Sequence, residues 1–131
     1  MQCVLPNGFV TRPKDVLIVE DDPLIALDVE DTLLGSGVPA VRSAATVATA
    51  LDMITSRAPD FALLNVGLIR EKSFAVAECL AGLKIPFAFI TGYDEDKVPA
   101  AFADRPMLPK PYSIEALLSV LKCPDGSRCA D

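Results

Sequence analysis

Apolar residues in this chain fall into short continuous runs that alternate with stretches of helical spacing. Val16-Leu17-Ile18-Val19, Phe61-Ala62-Leu63-Leu64 and Phe87-Ala88-Phe89-Ile90 are unbroken apolar runs. They are too short for a stable helix and have no polar face, so they predict strands covered on both sides. Between them the spacing changes. Ile25, Val29 and Leu33 recur every fourth residue while Asp28, Glu30 and Asp31 fall elsewhere, which predicts an amphipathic helix from Asp22-Pro23 to Gly35-Ser36-Gly37. Aspartate suits the position before a helix, proline the first helical position, and glycine the end. Val38 to Ser43 reads as a second, shorter strand, and Thr46 to Arg57 as a second helix with Val47, Leu51 and Ile54 on one face. The polar loop Ile69-Arg70-Glu71-Lys72 leads into a third helix from Ser73, carrying Val76, Cys79, Leu80 and Leu83 inward. A charged loop at 94–97 precedes a short helix at 98–103, and Pro106-Met107-Leu108 forms a brief fifth strand. Ser113 then caps a last helix with Ile114, Leu117, Leu118 and Leu121 on its core face.

The order is strand then helix, repeated, which argues for an α/β fold of three layers: a parallel sheet with helices on both faces. Right-handed crossovers restrict the topology, and the flavodoxin-like strand order 2-1-3-4-5 is among those left. In that order strands 1, 3 and 4 are neighbours, and their carboxyl ends gather Asp21-Asp22, Asn65 and Thr91. Lys110 follows strand 5 on the same edge. Ligands of open α/β sheets bind at that edge. Residues 1–14 read as an irregular lead-in, 15–122 as the domain and 123–131 as a polar tail.

Composition narrows the function classes. A chain of 131 residues, 51% hydrophobic and 23% charged, suits one folded domain. Its net charge of -6 disfavours nucleic acid and anionic membranes as partners. No apolar run approaches about 18 residues, and the amino terminus lacks a basic start followed by an apolar core, so a cytoplasmic location is expected. The four cysteines show no Cys-x-x-Cys spacing, and reduced thiols are expected. Histidine is absent, which excludes Ser-His-Asp and Cys-His catalysis and a zinc site completed by histidine. Any phosphoryl group arriving from a histidine must come from another protein.

The candidate chemistry lies at the carboxyl edge. Two carboxylates directly after a strand suit Mg²⁺, which takes one or two carboxylates and keeps several waters; alternatively Asp22 caps the helix and Asp21 is solvated. A flavin or nucleotide cradle would place Gly, Ser and Thr amides after the first strand, but Glu20-Asp21-Asp22 there repels a phosphate. Lys110, between Pro109 and Pro111, is held in a stiff turn from which it can reach an anion.

From Asp15 to Lys122 the chain resembles the receiver domain of two-component response regulators. The resemblance rests on Val-Leu-Ile-Val-Glu-Asp-Asp at 16–22, the strand ending at 65, Ile-Thr-Gly-Tyr at 90–93 and Leu-Pro-Lys-Pro-Tyr at 108–112, in that order and spacing. Residues 87–93 further resemble a subgroup with a Phe-x-Phe-x-Thr-Gly-Tyr signature, many of them single-domain proteins. The resemblance implies that Asp21, Asp22, Asn65 and the Gly67 carbonyl hold Mg²⁺, that Thr91 and Lys110 meet the phosphoryl group, and that Thr91 and Tyr93 reorient together. Met107 occupies the family's aromatic switch position, so an aromatic rotamer switch there is not expected.

One departure matters most. The family's phosphoacceptor is an aspartate, and Asn65 stands in its place. An amide is a poor nucleophile and should not form an acyl phosphate; it also binds Mg²⁺ weakly. Three accounts stay open: a natural receiver that works without phosphorylation, an ordinary Mg²⁺-dependent receiver carrying an engineered Asp-to-Asn change, or phosphorylation at another residue such as Thr91 or Ser73 or deamidation of Asn65 to Asp, which the β-branched Val66 disfavours. The implied function is a stand-alone signalling module of a phosphorelay, not an enzyme, acting by protein contact. Its expected partners are a histidine kinase, a phosphotransfer protein or another regulator, with residues 94–122 as the output and dimerisation face. Competing classes are a phosphotransfer enzyme using Asp21 or Asp22 as nucleophile, and a flavodoxin-type electron carrier.

Overall fold

The structure, a computed structural model, describes residues 13–68, 71–91, 102, 105, 107–109 and 115–117, with Thr91 and Pro109 given by their backbone. The apolar runs form strands because each has a core on both sides. β1 (Asp15–Val19), β3 (Phe61–Asn65) and β4 (Phe87–Thr91) occupy the middle of the sheet, flanked by β2 (Ala40–Ala44) and β5 (Met107–Pro109). The five strands run parallel in the order β2-β1-β3-β4-β5. This is the topology anticipated from the strand–helix alternation.

Side chains alternate across a strand, so each run feeds two cores. Val16, Ile18, Phe61, Leu63, Ala88 and Ile90 pack with Val29 and Leu33 of α1 (Pro23–Gly35) on one face. Leu17, Val19, Ala62, Leu64, Phe87 and Phe89 pack on the other, with Ala50 and Ile54 of α2 (Val47–Ser56) and Val76, Ala77 and Leu80 of α3 (Phe74–Gly82). Each buried leucine or phenylalanine contributes about 1.5–3 kcal/mol. That is why β3, buried at all five positions, anchors the fold.

Helix ends follow local chemistry. Asp22 Oδ1 accepts the Leu24 and Ile25 N–H groups at 2.9 and 3.3 Å, capping α1. The turn after α1 needs Gly37 at φ 108°, and Val38 N–H returns to the Leu33 carbonyl at 3.1 Å. Val38 is thus spent on ending the helix, and β2 begins at Ala40 rather than at Val38 as the apolar pattern suggested. α3 stops at Gly82, so Leu83 lies beyond the helix and is exposed rather than facing the core. On the amino-terminal edge Asp15 accepts from Arg42 and Arg57 at 3.1 and 2.9 Å. There Asp60 N–H donates to the Asp15 carbonyl, and Asp60 Oδ2 accepts from Lys14 N–H.

Among the described residues no helix is long and apolar enough to cross a membrane. Residues 1–12 of the anticipated lead-in at 1–14, the loop at 94–97, most of the short helix at 98–103, residues 110–112 of the turn at 109–112, most of the last helix from Ser113 and the tail at 123–131 lie outside the described residues.

Candidate functional site

The pocket follows from strand register. β1 and β3 pair Val16 with Phe61 through Val19 with Leu64, so one step further Glu20 and Asn65 stand opposite each other. Counting by two from Val16 and from Phe61 places both on the same face as Ile18 and Leu63. Both are buried, with 3% and 5% of their surface exposed. The backbone continues the sheet past the strands: Glu20 N–H donates to the Ala44 carbonyl at 2.9 Å, and Val66 N–H to the Ile90 carbonyl at 3.0 Å.

Asn65 Nδ2 donates to Glu20 Oε2 at 3.0 Å, and the Asp22 backbone N–H donates to the same oxygen at 3.1 Å. A carboxylate removed from water needs such donors, and hydrogen bonds to a charged acceptor are the stronger kind. Here two neutral N–H groups supply part of that need. A carboxylate at position 65 could not make this bond, because it has no donor when ionised.

The structure sorts the anticipated site residues. Asp21 is half-buried beside Glu20, while Asp22 is exposed and its Oδ1 is engaged at the start of α1. Glu20, rather than Asp22, is the acidic side chain that meets Asn65. The reading from the sequence placed Glu20 with Asp21 and Asp22 in the loop after the first strand and took only the two aspartates as site residues; the two-residue count along β1 and β3 is the signal that identifies it. Thr91 ends β4, paired in register with Pro109 of β5; Lys110 and Tyr93 lie outside the described residues. Met107 pairs with Phe89 and is 40% exposed.

Gly67 lies two residues past Asn65 and bridges Lys72 in antiparallel fashion. The two bonds of that bridge are Leu68 N–H to the Glu71 carbonyl at 2.9 Å and Ser73 N–H to the Val66 carbonyl at 3.2 Å. The Gly67 carbonyl takes part in neither. Ser73 is fully buried and its hydroxyl makes no hydrogen bond, so it is closed to a phosphoryl donor in this conformation. Among the described residues no group of three or more Asp, Glu, Cys or His is arranged to hold a metal ion. An oxygen set of Glu20, Asp21 and carbonyl groups nonetheless fits a hard cation that keeps most of its waters.

No family model matches the sequence. Over 114 residues the chain is 31% identical to the phyllosphere-induced regulator PhyR of Methylorubrum extorquens, a match spanning 80% of this chain and 42% of that protein. The solution structure of SdrG from Sphingomonas melonis Fr1 is similar with a TM-score of 0.73 at 43% identity, covering 82% of this chain and 92% of that one. The BeF3-activated conformation of SdrG from Pseudomonas melonis Fr1 gives a TM-score of 0.71 at 42% identity, with coverage of 82% and 92%. A CheY-like response regulator receiver domain from Methylobacillus flagellatus, 23% identical, shares the fold with a TM-score of 0.73 over 84% of this chain and 97% of its own.

Sheet order and the Glu20–Asn65 contact at the carboxyl edge define the class: a doubly wound α/β domain, a fold whose ligands bind beyond the strand ends. The chain belongs to the response regulator receiver domains of two-component signalling. Such relatives are signalling regulators rather than classical enzymes. The chain spans about half the length of the curated relatives it matches, 42% of one and 56% of another.

Proposed function

We propose that this chain is a receiver that takes no phosphoryl group at Asn65 and signals by binding another protein. The observation that carries the reading is the hydrogen bond from Asn65 Nδ2 to Glu20 Oε2. The amide nitrogen's lone pair is delocalised into the carbonyl, so it is a poor nucleophile toward phosphorus. The same bond points the positive end of the amide dipole at Glu20.

Mg²⁺ is expected to bind weakly. Glu20, Asp21 and the Gly67 carbonyl would hold it, with Asn65 Oδ1 as a further weak donor once the amide turns from Glu20. When bound, the ion would neutralise the two carboxylates and offer an anion a positive centre. Thr91 and Lys110, on the same edge, would meet that anion. Leu24, Leu27 and Leu34 of α1 are exposed, set among Asp28 and Asp31, which supports action through protein contact. A histidine kinase, a phosphotransfer protein or another regulator is the partner class in keeping with the family.

The test is an amide NMR titration with Mg²⁺ and then beryllofluoride, on this chain and on Asn65→Asp in parallel. Only the variant should respond to beryllofluoride, with shifts at 20, 65 and 91. Equal uptake of beryllofluoride by both proteins would remove the reading.

A further inference from the structure

We propose that Glu71 is a positioning residue of the pocket: it fixes the Gly67 carbonyl by tying the strand end after Asn65 to the start of α2. The inference rests on the reading that the pocket accepts Mg²⁺.

The first N–H groups of a helix have no partner inside it. In α2 the Thr46 hydroxyl accepts the Thr49 N–H at 3.1 Å, and the first turn holds no acidic residue. The Val47 N–H is instead taken by Glu71 Oε2 at 2.9 Å, from 24 residues further along the chain. A carboxylate at a helix amino end is also favoured by the helix dipole.

Glu71 is fastened at its backbone too. Its carbonyl accepts the Leu68 N–H, one of the two bonds that frame Gly67, and the other returns from Ser73 N–H to Val66. Val66 is in turn held to β4 through Ile90. Gly67 therefore sits between two fixed points, β4 on one side and α2 on the other, and the Glu71 carboxylate makes the hydrogen bond to the second. Because its carbonyl is not used by the frame, it is the group the frame presents. Coupling is reciprocal: if the Glu71 bond helps place a metal ligand, metal binding must be felt at Val47.

The experiment uses the full chain carrying Asn65→Asp, Mg²⁺ alone as the probe, and amide NMR as the readout, with and without Glu71→Ala or Glu71→Gln. With Glu71 present, Mg²⁺ should shift the Val47 amide along with residues 20 and 21. Glu71→Ala should abolish the Val47 response and weaken Mg²⁺ binding by about five- to ten-fold, within the usual range of site-to-site coupling. Glu71→Gln keeps an acceptor oxygen and should restore most of both. If Glu71→Ala lowers stability but leaves Mg²⁺ affinity unchanged, Glu71 only caps α2 and the inference is overturned. If Asn65→Asp with Glu71 intact takes up no Mg²⁺, the metal reading of the pocket and this inference fall together.

Discussion

Replacing Asn65 by aspartate sets the two carboxylates of the pocket against each other. The change removes a hydrogen bond to a charged acceptor, worth about 1.5–3 kcal/mol. It also places a second negative charge beside Glu20 Oε2, which now lies 3.0 Å from the amide nitrogen. Two like charges at about 4 Å repel by about 4 kcal/mol at an effective dielectric constant near 20. That repulsion has a ceiling, because either carboxyl can take up a proton. Holding a proton at pH 7, some three units above the ordinary carboxylate range, costs about 4 kcal/mol. With local relaxation, the expected loss is about 3–5 kcal/mol in EDTA at pH 7, a large share of the roughly 5–15 kcal/mol that holds a domain together. Repulsion makes the folded pair bind a proton that the unfolded chain has released. Stability relative to the parent should therefore recover as the pH falls, by up to about 2.7 kcal/mol between pH 7 and pH 5. Mg²⁺ should offset the loss as well, by about 2.7 kcal/mol at a hundred times its dissociation constant. Urea unfolding followed by circular dichroism, at both pH values and with EDTA or Mg²⁺, measures each quantity. A variant within about 0.5 kcal/mol of the parent at pH 7 in EDTA, a spread expected of changes that disturb nothing, would refute the reasoning. So would a loss that neither acid nor Mg²⁺ relieves.

Three further outcomes are expected. Asp22→Ala should cost about 1 kcal/mol through the lost helix cap, yet leave Mg²⁺ uptake by Asn65→Asp unchanged; thermal unfolding and the same titration check the two halves. Ser73→Ala removes a buried hydroxyl that makes no hydrogen bond, so urea unfolding should show unchanged stability or a gain of up to about 1 kcal/mol. Lys84 holds a left-handed φ of 61° after α3, and Lys84→Gly should raise the urea midpoint, because the relieved strain of about 1–2 kcal/mol exceeds the added chain entropy.

The central strands were legible because a run buried on both faces has no polar position to confuse it. Phe61 to Leu64 could be little else, and the same holds for Val16 to Val19 and Phe87 to Ile90. The boundaries that shifted did so where one residue served two elements. Val38 looks like strand but closes the turn after α1, and Leu83 continues the helical spacing but comes after the helix has ended. The site was half legible. Asn65 stood out as the polar residue that ends the central apolar run. Glu20 did not, because Asp21-Asp22 is the more conspicuous acidic pair, and the helix-start signal at Asp22-Pro23 already accounts for one of those carboxylates. The bond from Glu71 to Val47 spans elements far apart in sequence, and no local pattern announces it.

Asp15 has a geometric consequence for the opposite end of the sheet. Its carboxylate is gripped by Arg42 and Arg57, and its carbonyl by Asp60, so β1, β2, β3 and the end of α2 meet at one point. The strands are riveted there, and the hydrogen-bonded ladder carries them side by side to Glu20 and Asn65. Five residues at about 3.3 Å each make a lever of about 17 Å. A tilt of about 3° at the rivet would then move the pocket end by about 1 Å, a rotation small enough to leave most of a strand's length, at that same rise, almost where it was.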